Sequence, residues 1–134
     1  MRLSNRSSGT RFENELCEIL FRHDFWAHNI AQNKSGQPAD VIAVRKDKPY
    51  LIDCKVCEHD KFPLSRIESN QELAMNLWKN VGNTECYFAL KDHSGAIYMA
   101  HFNTLIYLRD KKKTKEIKDL EVFPTLEEWI CGQL

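Results

Sequence analysis

One hairpin constrains this chain more than any other feature. Asp40-Val-Ile-Ala-Val44 and Tyr50-Leu-Ile-Asp-Cys-Lys-Val56 are two β-prone runs joined by the polar turn Arg45-Lys46-Asp47-Lys48-Pro49. Alternate residues of a strand share a face, so Leu51, Asp53 and Lys55 point one way and Tyr50, Ile52, Cys54 and Val56 the other. A turn centred between Lys46 and Asp47 pairs Val44 with Pro49 and Ile42 with Leu51, and so sets Asp40 across from Asp53 at roughly 5 Å between Cβ atoms. Two carboxylates and an ammonium therefore meet on one surface. Facing like charges destabilise a sheet unless something positive sits between them, and a divalent cation meets that need. Magnesium favours one or two carboxylates, with waters and phosphate oxygens completing its shell. Spacing alone leaves open both a cation site and a solvated polar sheet edge, because Asp-x-Lys is a short, common pattern.

Upstream, Thr10-Arg11-Phe12-Glu13 has the form of a capping box, and Phe12, Leu16, Ile19 and Leu20 follow at helical spacing, which predicts a helix from Thr10 to about His23. On that local pattern Glu13 is accounted for as the partner of Thr10. Phe25 to Ala31 reads as a short strand, and Gln32 to Pro38 as a polar turn. Downstream, Ser65-Arg66-Ile67-Glu68 is a second capping box. It opens a helix whose inner face is Ile67, Gln71, Ala74, Leu77, Trp78 and Val81, ending at Gly82. Gln71 on that apolar face needs a hydrogen-bond partner, which favours a tie to the acidic pair. Cys86 to Lys91 and Ala96 to Phe102 form another strand pair. Thr104 to Leu108 suits helix or strand, Leu120 to Phe123 a short strand, and Pro124-Thr125-x-x-Glu128 a short final helix. The order predicts an α/β single domain, residues 1–134, with a central mixed β-sheet flanked by helices and residues 1–8 as a flexible basic N-terminus.

A chain of 134 residues holds one ordinary core, and its 19 Lys and Arg balance 19 Asp and Glu. A zero net charge argues against a strongly basic nucleic-acid binder, yet the charge is unevenly spread. Arg2, Arg6 and Arg11 precede any acidic residue, and Arg109 to Lys118 contains Arg109, Lys111, Lys112, Lys113, Lys115 and Lys118. Each stretch suits either phosphate contact or a solvated surface. With no membrane-length apolar run and no apolar leader, the expected location is cytoplasmic. Five cysteines at irregular spacing suit reduced thiols, and Cys54-x-x-Cys57-x-His59 is half of a zinc set whose second half has no candidate.

Taken together, Gly9-Thr10-Arg11-Phe12-Glu13, Gln37-Pro38-Ala39-Asp40-Val41-Ile42-Ala43 and Tyr50-Leu51-Ile52-Asp53-Cys54-Lys55 resemble the PD-(D/E)XK nucleases. Within them the chain is most similar to the RecU-type and archaeal Holliday junction resolvases, a likeness that runs on through Phe62-Pro63-Leu64, Ile67, Gln71, Tyr87-Phe88 and Ile97-Tyr98. The resemblance implies a restriction-endonuclease-like core of order α-β-β-β-α-β. It also implies hydrolysis of DNA phosphodiesters at a Mg2+ site, with Mn2+ able to substitute, leaving 5′-phosphate and 3′-hydroxyl ends. Asp40, Asp53 and Glu13 would hold the metal, Lys55 would be the catalytic lysine, and Gln71 would lie beside the site. Ser35 sits where archaeal members carry a serine near the scissile phosphate. Arg2, Arg6, Arg11, Lys111, Lys112 and Lys113 would hold DNA phosphates. A homodimer is implied too, with Phe62, Trp78 or Trp129 as interface candidates, because a four-way junction is resolved by two symmetric nicks. Asn70, where a His is common, and the absence of room for the long RecU stalk depart from the pattern. The alternatives are a flap, end or restriction-type nuclease of the same fold, and a non-cleaving DNA-binding module.

Overall fold

The computed structural model describes residues 5–30 and 39–133, with side chains from Arg11 onward. Helix α1 (Asn5–Arg22) begins five residues before the expected start at Thr10. Thr10 is therefore inside the helix and not at its N-cap position. Phe12, Leu16 and Leu20 are the buried stripe of α1. Asp24 takes the left-handed conformation, φ 68°, that ends many helices, and the chain enters strand β1 (Trp26–Asn29).

Strands β2 (Val41–Arg45) and β3 (Lys48–Val56) form the expected hairpin in the expected register, Val44 opposite Pro49 and Ile42 opposite Leu51. The connection is shorter than the sequence suggested. Lys46 and Asp47, at φ 49° and 65°, make a two-residue turn of the type whose twist matches that of the strands. After a short strand β4 (Phe62–Pro63) and a 3-10 turn at Leu64–Arg66, helix α2 (Ser69–Asn80) crosses over to β5 (Cys86–Lys91), which lies parallel to β3. β6 (Ile97–His101) returns antiparallel, so the main sheet is mixed, in the order β1-β2-β3-β5-β6. Helix α3 (Phe102–Asp110) settles the ambiguous Thr104–Leu108 segment as helix. Strand β7 (Glu116–Ile117) pairs with β4, and helix α4 (Leu126–Gly132) is capped by Thr125 with Glu128, as its sequence predicts.

Two further expectations need correction. Leu120–Val122 is a 3-10 turn, not a strand, because the Asp119 side chain takes the Glu121 N–H and winds the backbone. The second helix is capped by Glu68, not Ser65, and its buried positions are Gln71 and Met75, with Leu77 55% and Val81 77% exposed.

The sheet carries a core on each face. Helices α1 and α4 bury Phe12, Leu16, Leu20, Ile52, Leu126 and Trp129 on one side. On the other side α2 and α3 pack Met75, Phe102 and Leu105 against Leu51, Phe88 and Leu90. Helices α2 and α3 lie over β3, β5 and β6, and the β1–β2 part of that face is thinly covered. There Trp26, 58% exposed, stacks on His28, while Ile42 and Val44 beside them are half-buried. Phe62 and Trp129, candidates for an intermolecular surface, are instead core residues. Cys54 and Cys57 fall in the cores on opposite faces and His59 is exposed, so the half zinc set does not assemble. Among the described residues, no helix is long and apolar enough to cross a membrane.

Candidate active site

Four buried polar or charged side chains stand out among the described residues: Asp40, Arg45, Asp53 and Gln71. Charged groups are rarely buried without a partner or a task, and three of these four converge. They meet where the middle of α1, the first turn of α2 and the C-terminal end of β3 come together. Lys91, at the adjoining end of β5, ties that end to α1 through Glu15 at 2.5 Å and the Phe12 ring.

Asp40 enters β2 with its N–H donating to the Ile52 carbonyl at 3.1 Å, and its Oδ2 accepts from the Cys54 N–H at 2.7 Å. The hairpin ladder thus ends in a carboxylate instead of a backbone carbonyl. Asp53, 1% exposed, lies opposite in the same register. Its Oδ1 accepts from Gln71 Nε2 at 3.3 Å, and its Oδ2 is 3.4 Å from Lys55 Nζ. That ion pair lacks the alignment of a hydrogen bond, so Oδ2 is a buried acceptor with no donor. Glu13 approaches from α1, and Asp40 lies within hydrogen-bonding reach of both Glu13 and Asp53. The sequence predicted Glu13, Asp40, Asp53, Lys55 and Gln71 as one set, and the fold brings all five together.

Crowding raises two of the carboxyls, Glu13 and Asp53, above their ordinary range. Burial, and then the charge of Asp40, pushes Glu13 up to about 7. Burial likewise holds Asp53 well above the usual carboxylate range, with Asp40 raising it further and Lys55 partly opposing. Without added positive charge the cluster keeps protons at a pH where ordinary carboxyls have lost them. A divalent cation fits this donor set: hard oxygen donors, a buried acceptor lacking a donor, and an unfavourable concentration of negative charge. Among the described residues no group of three or more His, Cys, Asp or Glu side chains is arranged to hold a metal ion. The set suits an ion held by Asp40 and Asp53 whose remaining positions go to water and phosphate, with Glu13 next to it.

The proton and the cation therefore compete, and the sign of the effect follows. Glu13 has a folded-state pKa near 7 against an ordinary 4.5. Its stabilising share in the metal-free protein is complete below about pH 4.5 and is lost as pH rises through about 7. Added Mg2+ should raise the melting temperature more at pH 8 than at pH 5, measured against EDTA controls. A rise independent of pH would show that the carboxyls are already ionised without metal.

The sequence missed what holds Gln71. Its Oε1 accepts from the Glu68 N–H at 3.1 Å in a capping box, which commits the amide's carbonyl and leaves Nε2 to face Asp53. Glu68-x-x-Gln71 has the required spacing, so the signal was present one step beyond the box centred on Ser65. Also unforeseen, Arg109 is gripped by Glu72 and Asp110, and so is not free for phosphate. Lys111, Lys112 and Lys113 are exposed, as is Arg11. Arg2 and Ser35 lie outside the described residues, and Arg6 is described only as backbone of α1.

A family model described as archaeal Holliday junction resolvase (hjc) matches residues 4–126. No curated protein matches the sequence. Among solved structures, that of Archaeoglobus fulgidus Hjc, a Holliday junction resolvase from an archaeal hyperthermophile, superposes with a TM-score of 0.67 at 20% identity, covering 92% of this chain and 96% of that one. At that identity the likeness establishes the shared fold, a single α/β domain with a mixed central sheet.

Proposed function

The chain belongs to the archaeal Holliday junction resolvase (Hjc) family, crossover junction endodeoxyribonucleases of the PD-(D/E)XK type, and from that premise we propose that it cuts four-way DNA junctions at the Glu13–Asp40–Asp53–Lys55 site in a Mg2+-dependent reaction. The observation that carries the site is the buried Asp40–Asp53 pair with Lys55 beside it and an Asp53 oxygen lacking a hydrogen-bond donor. When bound, a divalent cation lowers the pKa of a water and offsets charge on the scissile phosphate. Asp40 and Asp53 would hold it, and the backbone N–H of Cys54 fixes Asp40 in orientation. Lys55, its side chain 11% exposed, keeps its ammonium against Asp53 and is available to the attacking water or the phosphate. Glu13, within hydrogen-bonding reach of Asp40, is placed to offer a carboxylate oxygen to the ion or to its water.

The test is cleavage of a labelled four-way junction beside a duplex and a flap, in Mg2+ and in EDTA. Paired nicks confined to the junction and lost in EDTA are expected. Equal cutting of flap or duplex would remove the junction preference and leave a nuclease; binding without cutting would make the chain a binding module.

We place DNA-backbone contacts on the exposed Lys111–Lys113 run, since Arg109, from which that run departs, is tied to α2 one residue from Gln71. Replacing all three lysines with alanine should weaken junction binding and flatten its salt dependence by up to about three units of log Kd per log salt. Titrations from low to moderate salt would read this, and an unchanged slope would move the contacts elsewhere.

Symmetric nicking calls for two active sites, and an apolar stripe supports a homodimer. Leu73, Leu77 and Val81, spaced four apart along α2, are 61%, 55% and 77% exposed and lie on the α2 side of the sheet, the side that also exposes Trp26. A soluble helix gains nothing from three exposed aliphatic residues in line unless a partner covers them.

A further inference from the structure

We infer that Arg109 is a positioning residue for the cleavage reaction, holding the first turn of α2 so that the Gln71 amide stays on Asp53. The inference rests on the junction-nuclease reading above and adds a residue to it. Arg109 stands in the last turn of α3, immediately before the lysine run. Its Nη1 and Nη2 donate to Glu72 Oε1 and Oε2 at 2.7 and 3.0 Å, a bidentate fork. Its Nε and Nη2 donate to Asp110 Oδ1 and Oδ2 at 2.7 and 3.3 Å. Set between two carboxylates, the guanidinium offers phosphate no net positive charge, although it sits in the most basic stretch of the chain. Both partners are held below the usual carboxylate range by this contact, so the pairing stays ionised through neutral pH.

Glu72 follows Gln71 directly, and both belong to the first turn of α2. The Gln71–Asp53 hydrogen bond is already long at 3.3 Å, so a small shift of that turn would break it. The Glu68 cap fixes how the amide faces, and the Arg109 fork fixes where the turn stands against α3.

The experiment uses Arg109→Lys, which keeps the charge but loses the fork, Glu72→Gln, Gln71→Ala, and Arg109→Lys combined with Gln71→Ala. Three quantities are read: single-turnover junction cleavage in Mg2+, junction Kd in Ca2+ across salt, and the Gln71 side-chain amide resonances of the DNA-free protein. Arg109→Lys and Glu72→Gln should each slow cleavage about tenfold with Kd and salt slope unchanged, and move the Gln71 resonances toward those of a free amide. In the Gln71→Ala background, Arg109→Lys should add nothing. A raised Kd and lower salt slope for Arg109→Lys, with Glu72→Gln silent, would make Arg109 a phosphate contact and overturn the inference. An equal rate loss with and without Gln71 would overturn it too, by showing a general effect on the fold. If the wild type cut no junction, the nuclease reading would fall, and unmoved Gln71 resonances in Arg109→Lys would separately sink the positioning role.

Discussion

Asp53→Asn should abolish junction cleavage, by about 10³-fold or more, while making the metal-free protein more stable near neutral pH. The two effects share a cause. Asp53 is buried against Asp40, with a second carboxyl, Glu13, in reach of the same neighbour, and in the absence of a cation that arrangement is repulsive. The amide keeps the shape, accepts from Gln71 through its oxygen and offers its NH2 to Asp40. It removes the charge that holds a cation. Single-turnover cleavage and thermal melts at pH 7.5 in EDTA measure both halves. Cleavage within tenfold of wild type would put the chemistry elsewhere, and a lower melting temperature would show that Asp53 stabilises the fold through its charge after all.

Leu77→Asp should convert the proposed dimer to a monomer and lose paired nicking. Leu77 is 55% exposed in the middle of the α2 stripe, where a charge costs the isolated chain little and a buried interface several kcal/mol unless it is paired. The variant should therefore melt close to wild type yet sediment at half the mass. Nicks on one strand should persist at high protein concentration, while coordinated cuts on opposite strands should fall by about a hundredfold. A Leu77→Asp protein that remains dimeric would direct attention to the sparsely covered sheet face around Trp26.

Much of the site was legible because strand periodicity is rigid. Once the turn was centred on Lys46 and Asp47, the facing of Asp40 and Asp53 and the shared face of Lys55 followed, and the observed register agrees. Glu13 was pointed at the carboxylates by the family likeness alone; the competing capping-box reading does not hold, because the pattern sits inside a helix that starts earlier. Helix phase was less legible. Ala74, Leu77 and Val81 looked like an inner face because they are apolar at helical spacing, but Met75 and Gln71 face the sheet. A surface stripe meant for another partner has the same periodicity as a core stripe. The Leu120–Phe123 segment was misread as strand since Leu120 and Phe123 are buried in the core without pairing in the sheet. The charge run at 109–118 concealed the pairing of Arg109 with Glu72, which is distant in sequence and visible only after folding.

The hairpin has the candidate site at one end and its turn at the other. Lys46 and Asp47 both occupy left-handed conformations that neither prefers, so the register is imposed by the strands and their packing, with the turn conforming to it. Sequence drift can therefore be generous at the turn, where Asn-Gly and similar pairs would relieve the backbone without reaching the carboxylates. At the far end, a one-residue slip would carry Asp53 to the opposite face and leave Asp40 opposite a residue that cannot share a cation. Resistance to heat and capacity to cut are thus adjustable in separate places along one pair of strands.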